Sequence, residues 1–158
     1  MSNYLFVTRG LPGAGKSTFV NDIVAKNNNI NVISPDILRR AKECKDWSEK
    51  HIWDKAYELL EESIQSNKYT IFDATNTSEK YLNTYNKYCK KYNVMLVIVS
   101  FASVDIETCK LRNANRKGRD FVPEEVIDRM YNKLKNALQG ETKDYIIDYK
   151  NFKLENYI

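Results

Sequence analysis

Gly10-Leu11-Pro12-Gly13-Ala14-Gly15-Lys16-Ser17-Thr18 is the stretch that decides the fold of this 158-residue chain. It fits the pattern G-x-x-x-x-G-K-[ST], with Gly10, Gly15, Lys16 and Ser17 at the fixed positions. Glycines let the backbone wind tightly, so that successive N–H groups point inward at phosphate oxygens. Pro12, Gly13, Ala14 and Thr18 belong to the same cradle. Lys16 offers a positive charge to the β- and γ-phosphates of a nucleoside triphosphate such as ATP, and Ser17 offers a hydroxyl to Mg²⁺. The helix that follows aims its positive N-terminus at the same anion.

The flanks supply the context this loop requires. Before it, Tyr4-Leu5-Phe6-Val7-Thr8 is an apolar, β-prone run suited to a buried strand. After it, Phe19, Val20, Ile23 and Val24 recur at helical spacing, and Asn27 to Asn29 closes the pattern. Further out, Ile30 to Ile33 reads as a second strand, left through Ser34-Pro35-Asp36 into a short basic helix over residues 37–43. Asp46 with Glu49 has the form of a capping box opening a helix that runs to Gln65. Its expected buried face is Ile52, Ala56, Leu59, Leu60 and Ser63. Tyr69 to Asp73 is a third strand. Ser78 caps a helix that lays Tyr81, Tyr85, Tyr88 and Tyr92 against the sheet, and Val94 to Phe101 is a fourth strand. A helix over 105–116 and a polar loop over 117–121 precede a last helix, opened by Pro123, Glu124 and Glu125 and closed by Gly140.

Strands alternating with helices imply an α/β fold, with a four-stranded parallel sheet flanked by helices and a helical lid. The tail from Asp144 offers a candidate edge strand. The length suits one domain over residues 1–158. A net charge of +4 tolerates a polyanionic partner without requiring one. Cys44, Cys89 and Cys109 are three, far apart and without a C-x-x-C pair. That spacing argues against a disulfide framework or a zinc site and for a reducing, cytoplasmic setting. With one histidine, His51, a His-based triad is excluded. No run reaches the length of a membrane span, and no signal peptide is expected.

Ligands of such sheets bind at the carboxyl ends of the strands, where Gly10 to Ser17, Asp36, and Asp73 to Asn76 all fall. Asp36, beyond the second strand, suits a general base for a hydroxyl acceptor, or an N-cap of the 37–43 helix. Asp73 suits a carboxylate that holds Mg²⁺ through water, or one that orients Thr75 or Arg39. Arg112 and Arg116 are four apart and share a helix face, with Lys117 and Arg119 just beyond. They suit charge stabilisation of a transferring phosphoryl group, or a solvated helix end balancing its dipole. Arg39, Arg40, Lys42 and Lys45 surround the path to Asp36 and suit an acceptor phosphate or an ordinary charged face. Trp47 and His51 receive no role.

Taken together, the glycine loop, Asp36 with Arg39, Asp73-Ala74-Thr75-Asn76, Arg112-Asn113-Ala114-Asn115-Arg116 and the run from Val122 to Tyr131 resemble phage-type polynucleotide 5′-hydroxyl kinases. The resemblance covers residues 4–138. It implies transfer of the γ-phosphate of ATP or another triphosphate, with Mg²⁺, to the 5′-hydroxyl end of DNA or RNA. It implies Lys16 and Ser17 as phosphate and metal ligands, with Asp73 beside the metal, and Asp36 as general base. By the same resemblance Arg39 holds the phosphate 3′ of the terminal nucleoside, Val122 packs on the terminal base, and Arg116 reaches the transferred phosphate. Thr75 and Asn76 fall to the acceptor side and Arg112 to the nucleotide. The stretch between Arg116 and Val122 is one residue longer than the family pattern, so Arg116, Lys117 and Arg119 all stand as candidates for that arginine's place. A phosphatase domain often joined to such kinases has no match here, so no 3′-end activity is expected. Kinases of small hydroxyl metabolites, tRNA-directed kinases and toxin-type sugar-nucleotide kinases share the loop, the acid after strand two and the D-x-T-N stretch. A small-metabolite kinase and a nucleotide-binding ATPase or switch module therefore stand as alternatives.

Overall fold

The computed structural model describes residues 4–138 and 145–158. β1 (Tyr4–Arg9) runs through the middle of the sheet and delivers the chain to the glycine loop. α1 (Lys16–Lys26) returns it to β2 (Ile30–Ile33), and α2 (Pro35–Arg40) with a 3₁₀ turn at Lys42–Cys44 leads to α3 (Glu49–Gln65). β3 (Tyr69–Phe72), α4 (Glu79–Tyr92), β4 (Met95–Ser100), α5 (Ile106–Ala114), α6 (Glu124–Leu138) and β5 (Ile146–Asp148) complete the order.

All strand pairings are parallel, in the order β2-β3-β1-β4-β5. The sheet has five strands rather than four, because the tail adds β5 beside β4. Parallel strands need both faces covered, which is why they read as continuous apolar runs. On β1, Leu5 and Val7 pack with Ala56, Leu60, Leu82 and Tyr85 of α3 and α4. Phe6 packs on the other face with Val20 and Ile23 of α1. A third cluster joins Leu11, Phe101, Cys109, Ile127 and Leu134, fastening the loop to α5 and α6. Each fully buried side chain of this kind contributes about 1.5–3 kcal/mol relative to exposure.

Two helix starts differ from expectation. Ser48, not Asp46, caps α3, its hydroxyl accepting from the His51 N–H. Ser34, not Asp36, caps α2, accepting from the Ile37 N–H at 3.3 Å. At α3 the serine next to the helix takes the capping position, whereas α2 starts earlier than expected, at Pro35, so that Asp36 lies inside its first turn and Ser34 before it is the cap. Leu59 is half-buried, and Ile64 joins the α3 core face in its place. The closing of the last helix at Gly140 lies outside the described residues.

The chain leaves β1 toward β2 on one side of the sheet and crosses after β3 to β4 on the other. The crevice at the carboxyl ends of β1 and β3 is the topological switch point.

Candidate active site

The glycine loop is held from two sides. The Gly10 N–H donates to the Thr75 carbonyl at 2.9 Å, tying the loop to the segment after β3. Gly13 has φ +85°, and a β-carbon there would lie 2.4 Å from the Cys109 carbonyl oxygen. Gly13 therefore serves two ends, a left-handed backbone and close contact with α5.

Lys16 is nearly buried, and its Nζ donates to the Gly10 and Leu11 carbonyls at 2.9 and 2.7 Å. Burial lowers its pKa to about 8, against the pull of Asp73. Asp73, also buried, has its pKa raised by burial, partly offset by the Thr8 hydroxyl that donates to it at 2.6 Å. Ser17 and Asp73 border the same cavity. A hydroxyl and a carboxylate are hard oxygen donors of the kind Mg²⁺ takes beside substrate phosphates, so the pair fits that ion.

A pH dependence follows. An anion bound at the loop favours the charged ammonium, so nucleotide binding raises the Lys16 pKa above its free value. Affinity should hold below the free value and fall as pH rises through about 8, approaching tenfold per pH unit. Calorimetry of ADP binding between about pH 7.5 and 9.5 checks this, together with proton uptake near pH 8.5. An affinity constant over that range would refute it.

Asp36 sits in the first turn of α2 with its side chain 67% exposed. Arg39 donates through Nη1 to one Asp36 oxygen and grips Glu49 with Nε and Nη2, at 2.9 and 2.6 Å. The fork-on-fork pairing with Glu49 fixes the guanidinium plane. In the sequence Glu49 reads as the capping-box partner of Asp46, and its grip on Arg39 is not expected there. Arg40 reaches Asp120 of the 3₁₀ turn at Gly118–Asp120 at 3.6 Å, joining α2 to the lid.

The lid is aligned by a residue the sequence reading passed over. Asn113, buried on α5, donates to the Val122 carbonyl at 2.6 Å and accepts from the Val122 N–H at 2.9 Å. One side-chain amide thus reads one backbone unit and sets where Val122 points. Arg112 donates to the Gly13 carbonyl at 3.2 Å.

Two cavities meet at the loop. The first, about 420 Å³, has Lys16, Ser17, Asp36, Arg39, Asp73 and Thr75 on its polar side. Val122, Val126 and Met130 form an apolar wall, and Trp53 and Tyr81, stacked at 5.2 Å and 17°, form another. The second, about 510 Å³, is bordered by Gly15, Thr18 and Arg112. Pro12 lines the first, Ala14 the second, and Gly13 and Arg116 both. Gly10 is buried beside Phe101 and borders neither.

Asn76 departs from its expected place on the acceptor side. It is fully buried at φ +48°, donates to the Thr8 carbonyl at 2.7 Å and accepts from the Tyr85 hydroxyl at 2.6 Å. Asparagine tolerates the left-handed turn, and its amide pins the segment after β3 to β1. Trp47 and His51 stack on each other at 3.8 Å.

Residues 5–137 match the family described as AAA domain. The chain belongs to that family. It is similar to a chain of the Pnkp1/Rnl/Hen1 RNA repair complex, with a TM-score of 0.74, 20% identity, and coverage of 91% of this chain and 47% of that one. A second structure of the Pnkp1/Rnl/Hen1 complex gives a TM-score of 0.60 at 21% identity, covering 77% and 45%. A gluconokinase from Sinorhizobium meliloti 1021 gives 0.61 at 16%, covering 98% and 87%. The chain spans about half the length of the first two. At these identities the likeness shows the fold alone. No described helix is long and apolar enough to cross a membrane.

Proposed function

We propose that this chain transfers the γ-phosphate of ATP, or another nucleoside triphosphate, to the 5′-hydroxyl end of a nucleic acid. One observation carries the reading. The phosphate-loop lysine, an exposed carboxylate relieved of capping, and an apolar seat share one cavity. A polyol acceptor would need hydroxyl partners on every side, whereas Val122, Val126, Met130, Trp53 and Tyr81 suit the flat apolar faces of a nucleoside.

The roles follow from position. Arg39 holds one oxygen of Asp36 and leaves the other to accept the proton of the attacking hydroxyl. Arg116 borders both cavities, where charge passes from donor to acceptor, while Lys117 is exposed and borders neither. Arg116 is therefore assigned to the transferred phosphoryl group in preference to Lys117, while the side chain of Arg119, the third candidate, lies outside the described residues. Mg²⁺, held by Ser17 and Asp73, would supply charge neutralisation for the phosphates.

Transfer of labelled phosphate from ATP to a short 5′-hydroxyl oligonucleotide tests the reading, with a plain nucleoside and gluconate as competing acceptors. Transfer to gluconate alone would replace it with a small-metabolite kinase. Arg39→Ala tests the acceptor class directly. It should raise KM for a nucleoside 3′-phosphate by roughly 10- to 100-fold, the value of a charge-assisted contact. A plain nucleoside lacks that phosphate, so its KM should change little. Equal KM increases on both acceptors would remove Arg39 from phosphate recognition.

A further inference from the structure

The two apolar walls of the first cavity come from different parts of the fold. Val122, Val126 and Met130 belong to the lid and α6, whereas Trp53 stands on α3 and Tyr81 on α4. A single base does not need both. Trp53 and Tyr81 are half-buried, stack on each other and border the cavity. Tyr57 and Phe72, with ring centres 5.8 and 6.1 Å from Trp53, hold the indole from the core side. A ring fixed in this way is a preorganised surface, which loses little freedom when a flat ligand settles on it.

The order of groups along the cavity says which part of an acceptor reaches that surface. Arg39 lies between two carboxylates. Its Nη1 meets Asp36, the base proposed for the reacting hydroxyl, and its Nε and Nη2 meet Glu49 of α3. The path from the hydroxyl to a phosphate held by Arg39 therefore leads from α2 toward α3. Glu49 and Trp53 are four apart on α3 and share a face, about 6 Å apart along its axis. One helical turn beyond the phosphate grip, an acceptor meets the Trp53 ring. The phosphate there carries the sugar and base of the next nucleoside, which span that distance. The side chains of Asp36 and Glu49 are 67% and 66% exposed, so the grip sits at the mouth and a chain can continue past it.

We propose that Trp53, backed by Tyr81, seats the second base of the acceptor, the one 3′ of the phosphate at Arg39. The two apolar walls then serve successive nucleosides, and the site is built for a dinucleotide end. The proposal rests on the 5′-kinase reading above and adds a subsite to it. Stacking uses the face of a base and not its edges, so the seat selects for the presence of a second base and tolerates any of the four.

The probes are a 5′-hydroxyl dinucleotide and the same dinucleotide lacking its second base, which keeps both sugars and the phosphate between them. In wild type the intact dinucleotide should have a kcat/KM roughly 5- to 150-fold higher, the value of one base on an aromatic ring. In Trp53→Leu the ratio should fall to near one, and in Trp53→Phe most of it should return. Both acceptors are compared on one preparation, so any loss of folded protein cancels. A second arm keeps the ring in place. The chain has two tryptophans, Trp47 and Trp53, and Trp47 does not border the cavity. In Trp47→Phe the indole emission reports on Trp53 alone. Binding of the intact dinucleotide without ATP should quench it, and the probe lacking the second base should not. A wild-type ratio near one, a ratio unchanged in Trp53→Leu, or equal quenching by both probes overturns the second-base seat and leaves transfer to 5′-hydroxyl ends standing. Transfer to neither acceptor by wild type overturns that reading and the seat with it.

Discussion

Lys16→Met should abolish measurable phosphoryl transfer while the protein stays folded. The ammonium is the loop's own cation, and its Nζ lies among the Gly10 and Leu11 carbonyls, where phosphate oxygens come closest. Removing one preorganised donor to a developing charge costs about 10²- to 10³-fold in kcat, and a full charge in a buried setting belongs at or beyond the upper end. Methionine keeps the aliphatic stem that fills the site, so the loss is one of charge and not of packing.

The folded protein gives this change a signature of its own. The Lys16 pKa is lowered to about 8 from its usual 10.5, so the unfolded chain binds more protons between those values. The charged lysine costs the fold roughly 3 kcal/mol at pH 7, before the hydrogen bonds lost with it are counted. That cost is fully present below pH 8 and relieved as pH rises toward about 10.5. The stability of wild type relative to Lys16→Met should therefore rise across that window. Chemical denaturation at about pH 7 and pH 10 measures it, alongside turnover. A folded variant with turnover near wild type would remove Lys16 from the nucleotide site.

The loop, the strand before it and the helix after it were legible because their pattern is local. A glycine spacing, an apolar run and a helical repeat each fit within a dozen residues. β5 was legible only as a candidate, since a three-residue strand carries almost no period and is defined by its partner β4. Asp36 and Arg39 stand out in the sequence as candidates because they follow a strand end. Glu49, which grips Arg39, does not, because its partner is ten residues away and only the turn at Lys42–Cys44 brings them together. Asn113 hid in the same way, since an asparagine on a helix announces nothing until Val122 folds back onto it. Asn76 was placed on the acceptor side because motif membership does not say which residues of a motif face the ligand. Its burial beneath the loop is a property of the packed β1–β3 edge.

Asp36→Asn should leave nucleotide affinity intact and lower kcat by about 10²- to 10⁴-fold. The two possible roles of Asp36 part on structure. A cap would make the change costly to α2, but Ser34 already holds the Ile37 N–H. The carboxylate is exposed to the cavity, and Arg39 keeps its two bonds to Glu49 whether or not Asp36 is charged. The substitution should therefore cost little stability, and its effect should fall on chemistry. An amide oxygen can still accept the bond from Arg39, so the geometry survives, but an amide cannot take the proton of the attacking hydroxyl. Loss in kcat with KM for both substrates nearly unchanged is the expected pattern for a group that acts in the transition state. Melting temperature, ADP affinity and single-turnover rate measured on one preparation separate the outcomes. A kcat within a few-fold of wild type would leave Asp36 as the partner of Arg39 and no more. A large fall in melting temperature would return it to a structural role in α2.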